Sequence, residues 1–187
     1  MNVDYEFQTY QDEIEYLVTH ERRNNFIKNL TLDLEGNTLI LFNYVEKHGE
    51  PLFELINNSA KSGRKIFFVH GGVDVKDREE IRAITENESD AVIIASYGTF
   101  STGINIKKLH NIIFASPSKS RVRNLQSIGR VLRKGENKNS AVLYDIADDI
   151  SNSDRSPNYT LNHLFERIKI YNQENFDYEI VNIKFRK

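Results

Sequence analysis

The chain has 187 residues, 39% of them hydrophobic and 28% charged, and carries a formal net charge of −2. That make-up fits one ordinary globular domain with a real core, with room for a small appendage, and not a disordered segment. The absence of cysteine excludes disulfides, thiolate nucleophiles and cysteine-held zinc, and no apolar run is long enough to cross a bilayer. The expected setting is cytoplasmic, with no membrane partner.

Ile14, Leu17, Val18, Ile27, Leu30 and Leu34 recur at helical spacing, which predicts one amphipathic helix over about residues 10–34, ended by Gly36. Thr38-Leu39-Ile40-Leu41-Phe42 is a continuous apolar run, as expected of a strand buried on both faces. A helix through Leu52, Phe53 and Ile56 follows and stops at Gly63. Lys65–Val69 is a second strand leading into His70-Gly71-Gly72, and Asp74 is placed to cap the next helix with Asp77 as its capping-box partner. Ala91–Ala95, Ile112–Ala115 and Ala141–Tyr144 are the third, fourth and fifth strands. Residues 152–158 read as a linker, followed by a helix through Leu161, Leu164, Phe165, Ile168 and Tyr171 and a terminal strand from Phe176 to Phe185. Apolar strands alternating with helices predict an α/β fold, a mainly parallel sheet with helices on both faces. Residues 1–150 are expected to form the main lobe, with the 10–34 helix packed on it, and 151–187 a C-terminal helix and strand extension. In such a sheet, sites lie beyond the carboxyl ends of the strands.

The modest net charge hides a strong segregation. Residues 107–138 hold nine Lys and Arg (107, 108, 119, 121, 123, 130, 133, 134 and 138) against the single acid Glu136, while the remainder holds 16 basic and 26 acidic residues. An acidic scaffold with one basic segment is suited to a polyanion. Within that segment, Gln126-Ser127-Ile128-Gly129-Arg130-Val131-Leu132-Arg133 sets two guanidinium groups one helical turn apart. Two always-charged forks on one face suit a transferring phosphoryl group. On the residues alone, Arg130 is equally a structural ion-pair partner and Gln126 a helix cap.

Three segments then line up: His70-Gly71-Gly72 with Arg78 beyond it, Ser96-Tyr97-Gly98-Thr99-Phe100-Ser101-Thr102-Gly103-Ile104-Asn105-Ile106, and Gln126–Arg133. Together they resemble motifs IVa, V and VI in the second RecA-like lobe of superfamily 2 helicases, with Leu39–Phe42 where motif IV would fall. The TFSTGI and QSIGRVLRKG stretches, with the terminal FDYEIVNIKF, are similar to phage recombination helicases over nearly the whole chain. The resemblance implies a RecA-like, P-loop NTPase-like lobe, and an enzyme that uses ATP to unwind and remodel branched DNA such as forks, Holliday junctions and R-loops. It further implies that Arg130 and Arg133 are arginine fingers, that Gln126, Gly103 and Asn105 meet the nucleotide, and that His70, Gly71, Ser96, Tyr97 and Thr99 hold the phosphodiester backbone. Lys119, Arg121 and Arg123 would add phosphate contacts. Asn105 stands where many members have Asp, keeping an acceptor but losing the charge. Plain turn residues and solvated lysines are the alternative for the backbone-gripping set, and Arg78 reads as a salt-bridge arginine.

No G-x-x-x-x-G-K-[S/T] loop and no Asp-Glu pair after a strand occur in the sequence. ATP with Mg²⁺ is therefore expected to be held by a separate N-terminal RecA-like lobe. The chain alone should bind no cofactor and hydrolyse nothing. Five scattered histidines offer no metal pair, and Asp145, Asp148 and Asp149 read as a solvated strand-end cluster. Branched or single-stranded DNA and the N-terminal lobe are the expected partners of a monomeric protein. A free-standing, non-catalytic nucleic-acid-binding or annealing module is the competing reading, and a partner-docking domain a third.

Overall fold

The computed structural model describes residues 7–101, 108–116, 141–151 and 157–185. Five parallel strands, β1 (Thr38–Phe42), β2 (Ile66–Val69), β3 (Val92–Ser96), β4 (Asn111–Phe114) and β5 (Val142–Asp145), form one sheet in the order β2-β3-β1-β4-β5. The central strand β1 is buried at every position, which is why its sequence is apolar without alternation. Leu39, Leu41, Ile93, Ala95, Ile112 and Phe114 face one layer, and Ile40, Phe42, Val92, Ile94 and Ile113 face the other.

Helices α2 (Glu21–Asp33) and α3 (Glu50–Asn57) cover the second face with Ile27, Leu52 and Ile56. Helices α4 (Val75–Asn87), α5 (Tyr97–Ser101) and α6 (Tyr159–Gln173) cover the first through Ile81, Phe100 and Tyr171. The expected α/β architecture with helices on both faces is thus the one observed. Helix α1 (Tyr10–Thr19) packs against both α2 and α6.

Four local expectations differ from the structure. The single helix over 10–34 is two helices, broken at His20, whose backbone is extended (φ −71°, ψ 113°) and whose Nδ1 accepts the Arg23 N–H at 3.2 Å. This side chain supplies the acceptor that a new helix start requires. The helix through Leu52 ends at Asn57, and a π-helical turn (Val45–Gly49) precedes it; Gly63 lies beyond, in a turn at φ +92°. Asp74 does cap α4, accepting from Lys76 N at 2.8 Å, but Asp77 gives no reciprocal hydrogen bond. Finally, residues 176–185, expected as a terminal strand, pair with no strand among the described residues. Of the expected linker, residues 152–156 lie outside the described set, whereas Asn158 is the N-cap of α6.

The amino-terminal rim of the sheet is locked by Asn37, whose side chain donates to Thr85 O (3.1 Å) and Glu88 O (3.0 Å) and accepts from Ala91 N (2.9 Å). Arg64 donates to the carbonyls of Thr31, Leu32 and Leu34, closing the exposed end of α2, and pairs with Asp90. With that end closed by side chains, the opposite rim carries the open turns.

Candidate functional site

The strand register brings the carboxyl ends to one level: Phe42 lies beside Ser96, Val69 beside Ala95, Leu41 beside Phe114, and Phe114 beside Asp145. His70, Ser96, Asn43 and Ser116 therefore leave the sheet side by side, where ligands of open α/β sheets bind.

After β2 the chain turns sharply. Val73 N–H donates to His70 O at 3.0 Å and Gly72 N–H donates to the His70 Nδ1 at 3.2 Å, so the imidazole holds its own turn. A side chain at Gly72 would meet that ring at 2.9 Å, whereas Gly71 has no atom within 4 Å of where its Cβ would be. Gly71 N–H has no hydrogen-bond partner among the described residues. An open peptide N–H beside a histidine is a ready donor for an anionic oxygen.

After β3 the chain passes straight into α5. The Ser96 hydroxyl lies 2.8 Å from the Thr99 hydroxyl and accepts the Thr99 N–H at 3.3 Å. Ser96 is half-buried at the rim, while Thr99 and Tyr97 are 4% and 6% exposed. The Tyr97 ring lies 5.7 Å from that of Phe114 within the core. Of the two residues expected to touch phosphates beside Ser96, both are buried: Thr99 holds the Ser96 hydroxyl, and Tyr97 packs in the core.

At the β1–β4 side, Asn43 N–H donates to the Ser116 hydroxyl at 3.1 Å, and the buried His48 Nδ1 lies 2.8 Å from the same oxygen. The π-helical turn places His48 there, a device often found next to functional sites. Gly103, Asn105, Lys119, Arg121, Arg123, Gln126, Arg130 and Arg133 lie outside the described residues. Ser116 is the last described residue after β4, and the description resumes at residue 141, just before β5, which runs parallel to β4.

Two buried arginines underpin the rim, and no sequence signal marked them. Arg23 of α2, 1% exposed, pairs with Asp148 at 2.8 Å and donates to Ala115 O at 2.7 Å. Arg167 of α6 pairs with Asp145 at 2.7 Å, and Tyr171 donates to the same carboxylate at 2.8 Å. Burial raises the Tyr171 pKa well above its ordinary value and Asp145 raises it further. Burial works against the Arg167 cation, yet Asp145 outweighs it and holds the Arg167 pKa above the usual value. Asp145 and Asp148 are thus ion-paired rather than solvated, and among the described residues no group of His, Asp and Glu is arranged to hold a metal. Arg78 forms no ion pair among the described residues, contrary to expectation.

Several known proteins are similar to this chain in sequence or fold. The ATP-dependent DNA helicase uvsW of Enterobacteria phage T4 is 37% identical over 183 residues, covering 91% of this chain and 36% of that protein. The crystal structure of T4 UvsW superposes with a TM-score of 0.72 at 36% identity, over 89% of this chain and 35% of that one. A putative ATP-dependent RNA helicase, L396, of Acanthamoeba polyphaga mimivirus is 27% identical over 169 residues, covering 88% of this chain and 30% of its own. The C-terminal part of the Fun30 ATPase domain shares the fold at 15% identity and a TM-score of 0.54, over 84% of this chain and 55% of that one. The chain thus spans about a third of the length of the curated relatives it matches. The family described as helicase conserved C-terminal domain matches residues 21–135, from the start of α2 into the basic segment, and the chain belongs to that family.

Proposed function

We propose that this chain is the C-terminal lobe of an ATP-dependent DNA helicase that unwinds and remodels branched DNA in recombination and repair. The observation that carries the reading is the 37% identity to a phage DNA helicase along 91% of the chain. The rim geometry supports it. In the proposed mechanism a second, N-terminal lobe holds ATP and Mg²⁺, and closure of the two lobes brings Arg130 and Arg133 to the γ-phosphate. The bound nucleotide supplies the chemical energy, and the arginine forks offset charge that develops on the transferring group. Gln126, Gly103 and Asn105 complete the nucleotide side of the cleft.

The nucleic acid lies along the carboxyl rim. Gly71 N–H and the His70 turn offer one contact, and Ser96 a second on the adjacent strand. Thr99 holds Ser96 from below, and Lys119, Arg121 and Arg123 add charge. Main-chain and hydroxyl donors read phosphates without reading bases, as a motor that moves over any sequence requires. Opening and closing of the cleft then shifts this grip along one strand.

The test is Arg133→Ala in the two-lobe enzyme, measuring DNA-stimulated ATP hydrolysis and DNA affinity separately. Turnover should fall by about 10³–10⁵ with affinity retained. Unchanged turnover rules out the finger role, and strong, salt-sensitive DNA binding by the isolated chain without a second lobe favours the free-standing binding module.

A further inference from the structure

Three polar side chains meet in the core at the carboxyl end of β5. Arg167 Nε donates to Asp145 Oδ2 at 2.7 Å, and the Tyr171 hydroxyl donates to the same oxygen at 2.8 Å. Arg167 is 2% exposed. Both α6 residues lie beyond the 21–135 stretch that matches the helicase family. The layer around them is otherwise apolar: Asp145 is the register partner of Phe114, and Tyr171 belongs to the same buried cluster as Tyr97, Phe100 and Phe114. A buried ion pair gives little net stability over apolar side chains of similar volume, and exchanging one for such residues is often neutral or stabilising. Stability therefore supplies no reason for a guanidinium and a carboxylate at this place. Directed hydrogen bonds to one carboxylate do something apolar contacts do not, which is to define a single position for the groups around it.

Two routes lead from this triad to Ser96. Phe114, level with Asp145 in the sheet, has its ring 5.7 Å from that of Tyr97. The Arg167 cation interacts electrostatically with Tyr97 as well as with Asp145. Tyr97 opens α5 directly after Ser96, the last residue of β3, so no loop separates the two. A displacement of the Tyr97 ring is thus passed to the Ser96 hydroxyl, which lies 2.8 Å from the Thr99 hydroxyl on the same short helix.

We propose that Arg167 is a positioning residue for nucleic-acid binding: through Asp145, Tyr171 and Tyr97 it sets the start of α5 so that the Ser96 hydroxyl meets a backbone phosphate. The inference rests on the reading of Ser96 as a phosphate contact. Arg167 is enclosed and touches no nucleic acid itself. Its effect falls on DNA affinity and not on ATP turnover, which makes the C-terminal helix part of the grip.

The test replaces the triad by apolar side chains in the two-lobe enzyme, as Asp145→Leu/Arg167→Leu/Tyr171→Phe, and follows ATP hydrolysis against DNA concentration. The melting temperature should stay at or above the parent value, because no charge is left stranded. The half-saturating DNA concentration should rise roughly 3–10-fold, the worth of one hydrogen bond, while turnover at saturating DNA stays within about two-fold. Tyr171→Phe alone keeps the ion pair and the fold, and should show the same split at smaller size, so it decides the matter even where the triple variant does not fold. Ser96→Ala should match the triple variant, and combining the two should add little, since both act through one hydroxyl. Parental DNA half-saturation in the folded triad variants, with Ser96→Ala raised, overturns the positioning role and leaves the phosphate contact standing. Parental behaviour of Ser96→Ala overturns the contact itself. Strictly additive effects, or a loss of turnover at unchanged half-saturation, also overturn the proposal.

Discussion

Replacing Arg23 with Met is the sharpest probe of what holds the carboxyl rim together. Arg23 is 1% exposed, pairs with Asp148 at 2.8 Å and donates to Ala115 O at 2.7 Å. Met fills much of the same volume but leaves the Asp148 carboxylate, itself 7% exposed, buried without its counter-charge. Removing one member of such a pair costs about 3–5 kcal/mol, much of it the stranded partner. Against a typical domain stability of about 5–15 kcal/mol that is a large share, and in a chain of this size it lowers the melting temperature by roughly 6–20 °C. Asp148→Asn should cost less, because the guanidinium keeps the Ala115 carbonyl. The double variant should be more stable than the sum of the two losses predicts, by about 1–3 kcal/mol, since neither charge is then stranded. Urea unfolding followed by circular dichroism measures all three. A loss below about 1 kcal/mol for Arg23→Met, or strictly additive losses, would refute the view that this pair is a tightly coupled buried contact.

Gly36→Ala should destabilise more than Gly63→Ala, because both glycines have positive φ (+87° and +92°) but only at Gly36 would a Cβ collide, 2.7 Å from the His110 ring. Both carry the left-handed strain of about 1–2 kcal/mol, so a melt in which the two variants match removes the steric argument. Glu13→Ala should cost about 1.5–3 kcal/mol, since its buried carboxylate accepts from Tyr159 N at 3.0 Å, Thr160 N at 2.7 Å and the Asn158 side chain at 2.8 Å. Chemical denaturation that finds less than about 0.5 kcal/mol would contradict that assignment. His20 has its pKa lowered from 6.5, chiefly by burial, against an opposing pull from Asp148. The unfolded chain therefore binds the proton more readily, and the His20 contribution is intact above about pH 6.5 and is lost as pH falls below it, through the lower pKa of the folded state. His20→Asn keeps a capping side chain and should flatten this part of the stability–pH curve; an unaltered curve would show that His20 is not its source.

The five strands were legible to within one residue, because a strand covered on both faces must be apolar along its whole length and nothing else competes for that pattern. Phe176–Phe185 shows the converse: its composition favours a strand, but pairing needs a neighbour, which a single stretch of sequence does not reveal. The break at His20 was hidden because neither Gly nor Pro marks it; the imidazole acts as a cap, a role usually taken by Ser, Thr, Asp or Asn. At the site, the glycine turn after β2 was readable from His70-Gly71-Gly72, and it is there. The placement of Tyr97 and Thr99 beneath Ser96 was not, since α5 begins without a loop and turns their side chains inward. Arg23 and Asp148 are separated by 125 positions, so no local pattern links them.

The grip of Glu13 on the first turn of α6 joins positions 147 apart along the chain. During synthesis at about 5–20 residues per second, the first helix waits roughly 7–30 s for the residues that complete its environment. Throughout that interval Ile14, Leu17 and Val18, which end up at most 1% exposed, lack the α6 side of their burial. Those three apolar side chains stay partly uncovered until α6 has emerged, and slower translation between Glu13 and Thr160 would lengthen that interval.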